Sequence, residues 1–216
     1  GLVRVELSNE AIRLGRVLAD LMPDEPEAAG LLALMLLTDA RRSARLDATG
    51  ALVPLAGQDR DRWDQDRIAE GLDRLAPWSR RADPGRFRIQ AELAAVHARA
   101  ATFADTDWAR IVDLYDVLLA RRSDPVVVVN RAVALGELDG PAPALLALEG
   151  IDDHERQQLD SYQPWHAARA DLLARAGRPA EAVEAYDRAI ALTASDAERR
   201  FLTARRQACR TGQTPP

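Results

Sequence analysis

The chain closes on "AGRPAEAVEAYDRAIALTASDAERRF" (Ala176–Phe201), a turn, a helix and the start of a second helix. A helical hairpin of this size carries an apolar face that it cannot bury alone, so the unit demands neighbours of its own kind. Its apolar and small residues fall as a pair, a singlet and a pair: Ala182-Val183, Tyr186, Ala189-Ile190. The same spacing recurs at Ile111-Val112, Tyr115, Leu118-Leu119 and at Ala11-Ile12, Gly15, Leu18-Ala19. Its period is that of one face of an α-helix.

Each of these helices is followed by a turn and a further helix start. Pro23-Asp-Glu-Pro26 follows the first. Ser123-Asp124-Pro125 follows the second, with Asp124 as N-cap and Pro125 at the first helical position. Ser195-Asp-Ala-Glu198 follows the third and reads as a capping box. Turns at Thr106, Gly140 and Gly177 set intervals of 34 and 37 residues. A helical hairpin repeating every ~34 residues has the tetratricopeptide (TPR) period. The last unit fits that consensus best, through Ala170, Gly177, Glu181, Ala182, Tyr186 and Ala189. Arg99, where a small residue belongs, and a short helix at Ala142–Glu149 mark the rest as degenerate.

Helix dominates elsewhere too. "GLLALMLL" (Gly30–Leu37) reads as a buried helix, and "DRDRWDQDRIAEGLDRL" as an amphipathic one with Ile68, Leu72 and Leu75 inward and Asp61 as its N-cap. "APWSRRADPG" breaks it, and Asp83-Pro84 starts the helix that holds "FRIQAELAAVHARA". Residues 46–60 also escape the pattern: "LDATGALVPLAGQD" is too rich in Gly and Pro for helix and reads as a small hairpin or ordered loop. The expectation is an all-α, TPR-like helical-hairpin array (an α-solenoid) of about ten helices with one irregular loop near 46–60. It forms a single domain over 1–216 with sub-units of about 1–82 and 83–216. The helical start at Leu2 and the Gly at position 1 suggest a chain that begins partway through a longer protein.

Charge and composition narrow the function. A net charge of −5 argues against direct DNA binding, which needs a clustered positive surface. All 29 basic residues are arginine, which reads as genomic bias. One cysteine, Cys209, excludes an intrachain disulfide and suits a reducing cytoplasm. No apolar run approaches the ~18 residues that span a bilayer, so no membrane role is expected.

In order along the chain, "EAIRLGRVLADLMPDEPEAAGLLALMLLTDARRSARLD", "QDRDRWD", "IQAELAAVHA", "TDWARIVDLYDVLL", "VVVNRAVAL", "YQPWHAARADLLARAGR" and "AERRFL" resemble the C-terminal TPR-like extension of one group of extracytoplasmic-function (ECF) RNA polymerase sigma factors. The resemblance covers nearly the whole chain. It implies a regulatory, protein-interaction module that supports transcription initiation. Its partners would be the sigma factor's own DNA-binding regions, RNA polymerase or a regulator. Promoter and core-polymerase binding would lie in N-terminal sigma regions, whose helix-turn-helix this sequence lacks.

Catalytic chemistry finds little footing. His97, His154 and His166 are far apart, with no HxxxH or HExxH, so each reads as structural and no metal is expected. Cys209 has no activating neighbour beyond Arg206 and Arg210. No phosphate-cradling glycine loop and no standout carboxylate pair occur, so neither a cofactor nor enzyme activity is expected. Trp63 reads first as a staple on the preceding loop, with an exposed partner anchor as the alternative. Trp108 and Trp165 read as repeat packing. Tyr162 and Gln163, before Pro164, are candidate groove residues for a partner. Arg199, Arg200, Arg205, Arg206 and Arg210 form either a basic stripe or, preferred here, the polar outer face of a capping helix. Two other functions compete with the sigma-factor module: a small-molecule sensor whose loop 46–60 folds over a pocket, and a free-standing TPR adaptor.

Overall fold

A computed structural model describes residues 2–79 and 83–212. Among them are eleven α-helices: α1 (Leu2–Leu21), α2 (Pro26–Asp39), α3 (Gln65–Leu75), α4 (Arg86–Arg99), α5 (Trp108–Arg121), α6 (Pro125–Leu138), α7 (Pro141–Glu149), α8 (Asp153–Leu159), α9 (Gln163–Arg175), α10 (Pro179–Leu192) and α11 (Asp196–Thr211). The chain is all-α, and its helices pack in a way consistent with a helical-repeat arrangement. The helix that sequence periodicity did not reveal is α8, too short to show a face.

Two compact units form, residues 1–46 with 53–107, and residues 47–52 with 108–216. The sequence reading put the division near 82. It falls after Asp107 because α4 packs on α2: Ile89, Ala91 and Ala95 are buried, as are Leu32, Ala33, Leu36 and Leu37. In the first unit α2 is the central helix, with α1, α3 and α4 around it. Its near-continuous apolar sequence suits that place, since a helix covered on several sides needs no polar face. Ile68 and Leu75 of α3 are buried as expected, and Leu72 is half-buried.

In the second unit, helices adjacent in sequence pack on one another: α5 on α6, α6 on α7, α9 on α10 and α10 on α11. Pro125, Pro141 and Pro179 open α6, α7 and α10 at the first position, where a missing N–H costs nothing. Gly140 and Gly177 take positive φ (+88° and +73°) in the hairpin turns, a conformation that a Cβ would strain. Ala170, Leu172, Leu173, Ala182, Tyr186 and Ala189 form one core with Leu202 of α11.

Several helix starts differ from expectation. Asp64, not Asp61, caps α3, accepting from the Arg67 N–H at 3.0 Å; a short 3-10 turn (Arg60–Arg62) occupies the residues before it. Asp83 has φ +59° and α4 begins at Arg86 rather than at Asp83-Pro84. Residues 80–82 of the expected "APWSRRADPG" break lie outside the described residues. Asp124 caps α6 as expected. Ser195 caps α11, but Glu198 does not close a reciprocal box. Its carboxylate accepts from the Thr193 hydroxyl at 2.7 Å, and that hydroxyl accepts from the Ser195 N–H at 3.3 Å. Residues 46–60 contain a small hairpin. Asp47 accepts from the Thr49 and Ala51 N–H groups, Gly50 turns at φ +76°, and the Val53 N–H returns to the Arg45 carbonyl. A 3-10 turn over Leu55–Gly57 follows.

Candidate functional site

The second unit holds a cleft of about 640 Å³ between the α5–α6 turn and the segment running from α8 to the start of α9. One wall carries Arg122, Ser123 and Asp124, and the other Asp152, His154, Glu155 and Gln158; Leu159 and Tyr162 line it as well. Local helix chemistry places these groups. Asp124 and Asp152 are where they are because each caps a helix, accepting from the N–H of Val126 (3.0 Å) and of Glu155 (2.8 Å). Ser123 then reaches across the cleft to the Glu155 carboxylate at 2.6 Å.

Tyr162 sits at the cap of α9 without a side-chain capping bond, and its half-buried ring packs against the core of the unit while lining the cleft. Gln163, the first residue of α9, is half-buried beside it. Three carboxylates against one guanidinium make the cleft acidic. It suits hydrogen-bond donors and cationic side chains better than phosphate. Of the two groove candidates, Tyr162 lines this cleft and Gln163 does not; Asp124, expected only as a helix cap, and His154, read as structural, line it too. Asp152 and Glu155 carry no mark in the sequence reading, although Asp152 with Glu155 three residues later is the same helix-start signal as Ser195 with Glu198.

A smaller hollow of about 220 Å³ lies on the same unit, floored by Leu145, Leu148, Trp165 and Leu173 and rimmed by Glu149, Arg156, His166 and Arg169. His166 meets the Asp160 carbonyl at 3.0 Å, and burial holds its pKa below the ordinary histidine value. Trp165 is buried in the repeat core, in keeping with a packing role.

In the first unit Trp63 is not an exposed anchor: it is 3% exposed. The guanidinium carbon of Arg60 lies 4.1 Å from its ring centroid and that of Arg41 5.1 Å, so two cations stack on one indole. The aromatic at the start of a charged run is drawn inward because arginine stems and planes can cover it, a pairing that helical periodicity does not register. Arg60 also donates to the His97 carbonyl near the end of α4. Burial, with Arg41 and Arg60 alongside, pushes His97 down to about 4.

Three of the five arginines of α11 are tied back to the unit: Arg199 donates to the carbonyls of Ile190 and Thr193, Arg205 to Asp171 and Arg206 to Asp187. They staple α11 to its neighbours, while Arg200 and Arg210 are exposed. Burial raises the Cys209 thiol above its usual pKa, the opposite of activation. Among the described residues no cluster of His, Cys, Asp or Glu could hold a metal ion, and no helix is long and apolar enough to cross a membrane.

Residues 1–78 match a family of unknown function, DUF6596. An uncharacterized protein of Rhizobium meliloti (strain 1021) is 43% identical over 200 residues, covering 93% of this chain and 46% of the relative. The chain therefore spans less than half the length of that relative. No solved structure matches.

Proposed function

We propose that this chain is the C-terminal regulatory domain of an ECF RNA polymerase sigma factor, a TPR-like array that supports transcription initiation through protein contacts. What carries the reading is the ordered run of sequence blocks that resemble that group's C-terminal extension, from "EAIRLGRVLADLM" to "AERRFL". The packing supports the TPR part. Ala170, Ala182, Tyr186 and Ala189, at consensus positions of the last repeat, are buried, and Gly177 takes the positive φ that its turn requires. The acidic cleft around Tyr162 supports the protein-contact part. Its carboxylates are fixed in place by caps and by Ser123, so a basic partner segment would meet a preorganised surface with little rearrangement.

The test is direct binding. The 216-residue chain is titrated against the purified promoter-binding regions of the sigma factor and against core RNA polymerase. Saturable binding to either, weakened about tenfold or more by Tyr162→Ala as expected for an aromatic anchor, supports the proposal. No binding to either protein at physiological salt refutes it.

A further inference from the structure

The first helix carries a second face that its own unit leaves open. Ile12, Gly15 and Ala19 of α1 are buried against Leu32, Leu36 and Met35 of α2. On the other side Leu7, Ala11, Leu14, Leu18 and Leu21 follow one another at alternating steps of four and three, the spacing of a coiled-coil seam. All five are exposed: Leu7 by 64%, Leu14 by 54% and Leu21 by 76%, with Val17 and Met22 beside them also open. Half of the large exposed hydrophobic side chains named along the described residues fall on this one helix and the residue after it.

From this we infer that α1 is a self-association surface, and that its occupant is the α1 seam of a second copy of this chain. Three observations choose that occupant. The first is area. The exposed apolar patch is on the order of 600 Å² per copy, at the upper end of what a monomer leaves open. Two such patches face to face would bury about 1,200 Å², the lower bound of a standard specific interface.

The second is charge. Three ion pairs within the unit flank the seam, Glu10 with Arg13 at 2.7 Å, Arg16 with Glu70 at 2.6 Å and Asp20 with Arg74 at 3.3 Å, and the exposed Glu6 beside Leu7 stands outside them. With most of its flanking charge paired within the unit, the leucine seam is complemented best by another of its kind. The third is rigidity. An isolated helix of 20 residues would bear the cost of its own nucleation, but α1 is already held on α2 and tied to α3 through Glu70, Arg74 and an Arg67–Asn9 bond of 2.9 Å. A two-fold pairing of the same patch on both copies closes the assembly at a dimer.

The inference stands apart from the sigma-factor reading and is tested without it. Sedimentation equilibrium of the 216-residue chain, run from sub-micromolar to hundreds of micromolar, should show mass rising from 23.7 kDa to twice that value. Leu14→Glu should weaken the dimer by about a hundredfold, because pairing would bury an unpaired carboxylate in the seam. Its helical circular dichroism should be unchanged, since the position is exposed in the monomer. Leu21→Glu, at the helix end, should do the same and guards against a fold effect at the centre. Leu146→Glu, on the exposed face of α7, should leave the dimer intact. A monomer at every concentration overturns the inference. So does a dimer that survives both seam variants, or one that Leu146→Glu dissolves.

Discussion

The N-terminus of α4 is capped by a side chain from another helix. Gly85, its N-cap residue, offers no side chain; instead the Glu27 carboxylate of α2 accepts from the N–H of Phe87 at 2.8 Å and of Arg88 at 3.1 Å. Glycine at 85 is what makes room. A Cβ there would stand 2.1 Å from the Glu27 carboxyl carbon and 2.4 Å from one of its oxygens. Glu27→Ala leaves two helix-end donors unmet and removes a negative charge from the positive end of the helix dipole. A lost cap costs ~1–2 kcal/mol and a lost charge–dipole contact up to ~1 kcal/mol, so the first unit should lose about 1–3 kcal/mol. Gly85→Ala should cost nearly as much, by pushing the carboxylate off both N–H groups, and the double variant little more than either alone. Urea unfolding of the four proteins gives the coupling directly. Additive losses would refute the idea that Glu27 and Gly85 act as one cap.

Tyr186→Ala empties a fully buried site between α9, α10 and α11 and should destabilise the second unit by roughly 3–5 kcal/mol, read by urea unfolding. Trp63→Ala should cost the first unit a similar ~3–5 kcal/mol, whereas Tyr162→Ala, half-exposed at the cleft, should leave the melting temperature nearly unchanged. His97, held near 4 against an ordinary 6.5, stays neutral in the fold while the unfolded chain takes up a proton. Stability should therefore be flat above about pH 6.5 and fall by up to ~2–3 kcal/mol as pH drops toward 4. His97→Gln should remove most of that slope, with His166, shifted the same way, keeping a smaller share. Gel-shift titration at physiological salt should find no promoter-specific affinity in the isolated chain, whose net charge is −5 and whose Arg199, Arg205 and Arg206 are engaged internally. Tight, sequence-dependent binding would contradict that expectation.

What was legible in the sequence was whatever local chemistry decides. The helical hairpins, the Asp124-Pro125 start, the glycine turns at 140 and 177 and the buried α2 follow from periodicity and capping, which act over a few residues. What was not legible depends on partners far along the chain. Asp83-Pro84 looks like a helix start in isolation. The helix begins two residues later because its cap comes from Glu27, some sixty residues upstream. The burial of Trp63 fits its reading as a staple, but the two cations that close over it, Arg41 and Arg60, lie outside any local pattern. The cleft was half visible. Tyr162 stands out by type, but the pairing of Ser123 with Glu155 joins two turns that no spacing rule relates. On α1, periodicity marked one face through Ala11-Ile12, Gly15 and Leu18-Ala19, and burial divides it: Ile12, Gly15 and Ala19 turn inward, Ala11 and Leu18 outward. A helix with two apolar edges shows its inner one only when its neighbour is known.

If the domain supports transcription through protein contacts, as proposed, one reconstituted assay should show it. Promoter-specific transcription by core RNA polymerase is measured with the complete sigma factor, with a version lacking this domain, and with the Tyr162→Ala variant. All three are matched for folded protein by circular dichroism. Deletion should lower or deregulate transcript yield, and Tyr162→Ala should follow in the same direction without loss of stability. Equal, equally regulated transcription with and without the domain would contradict the proposal.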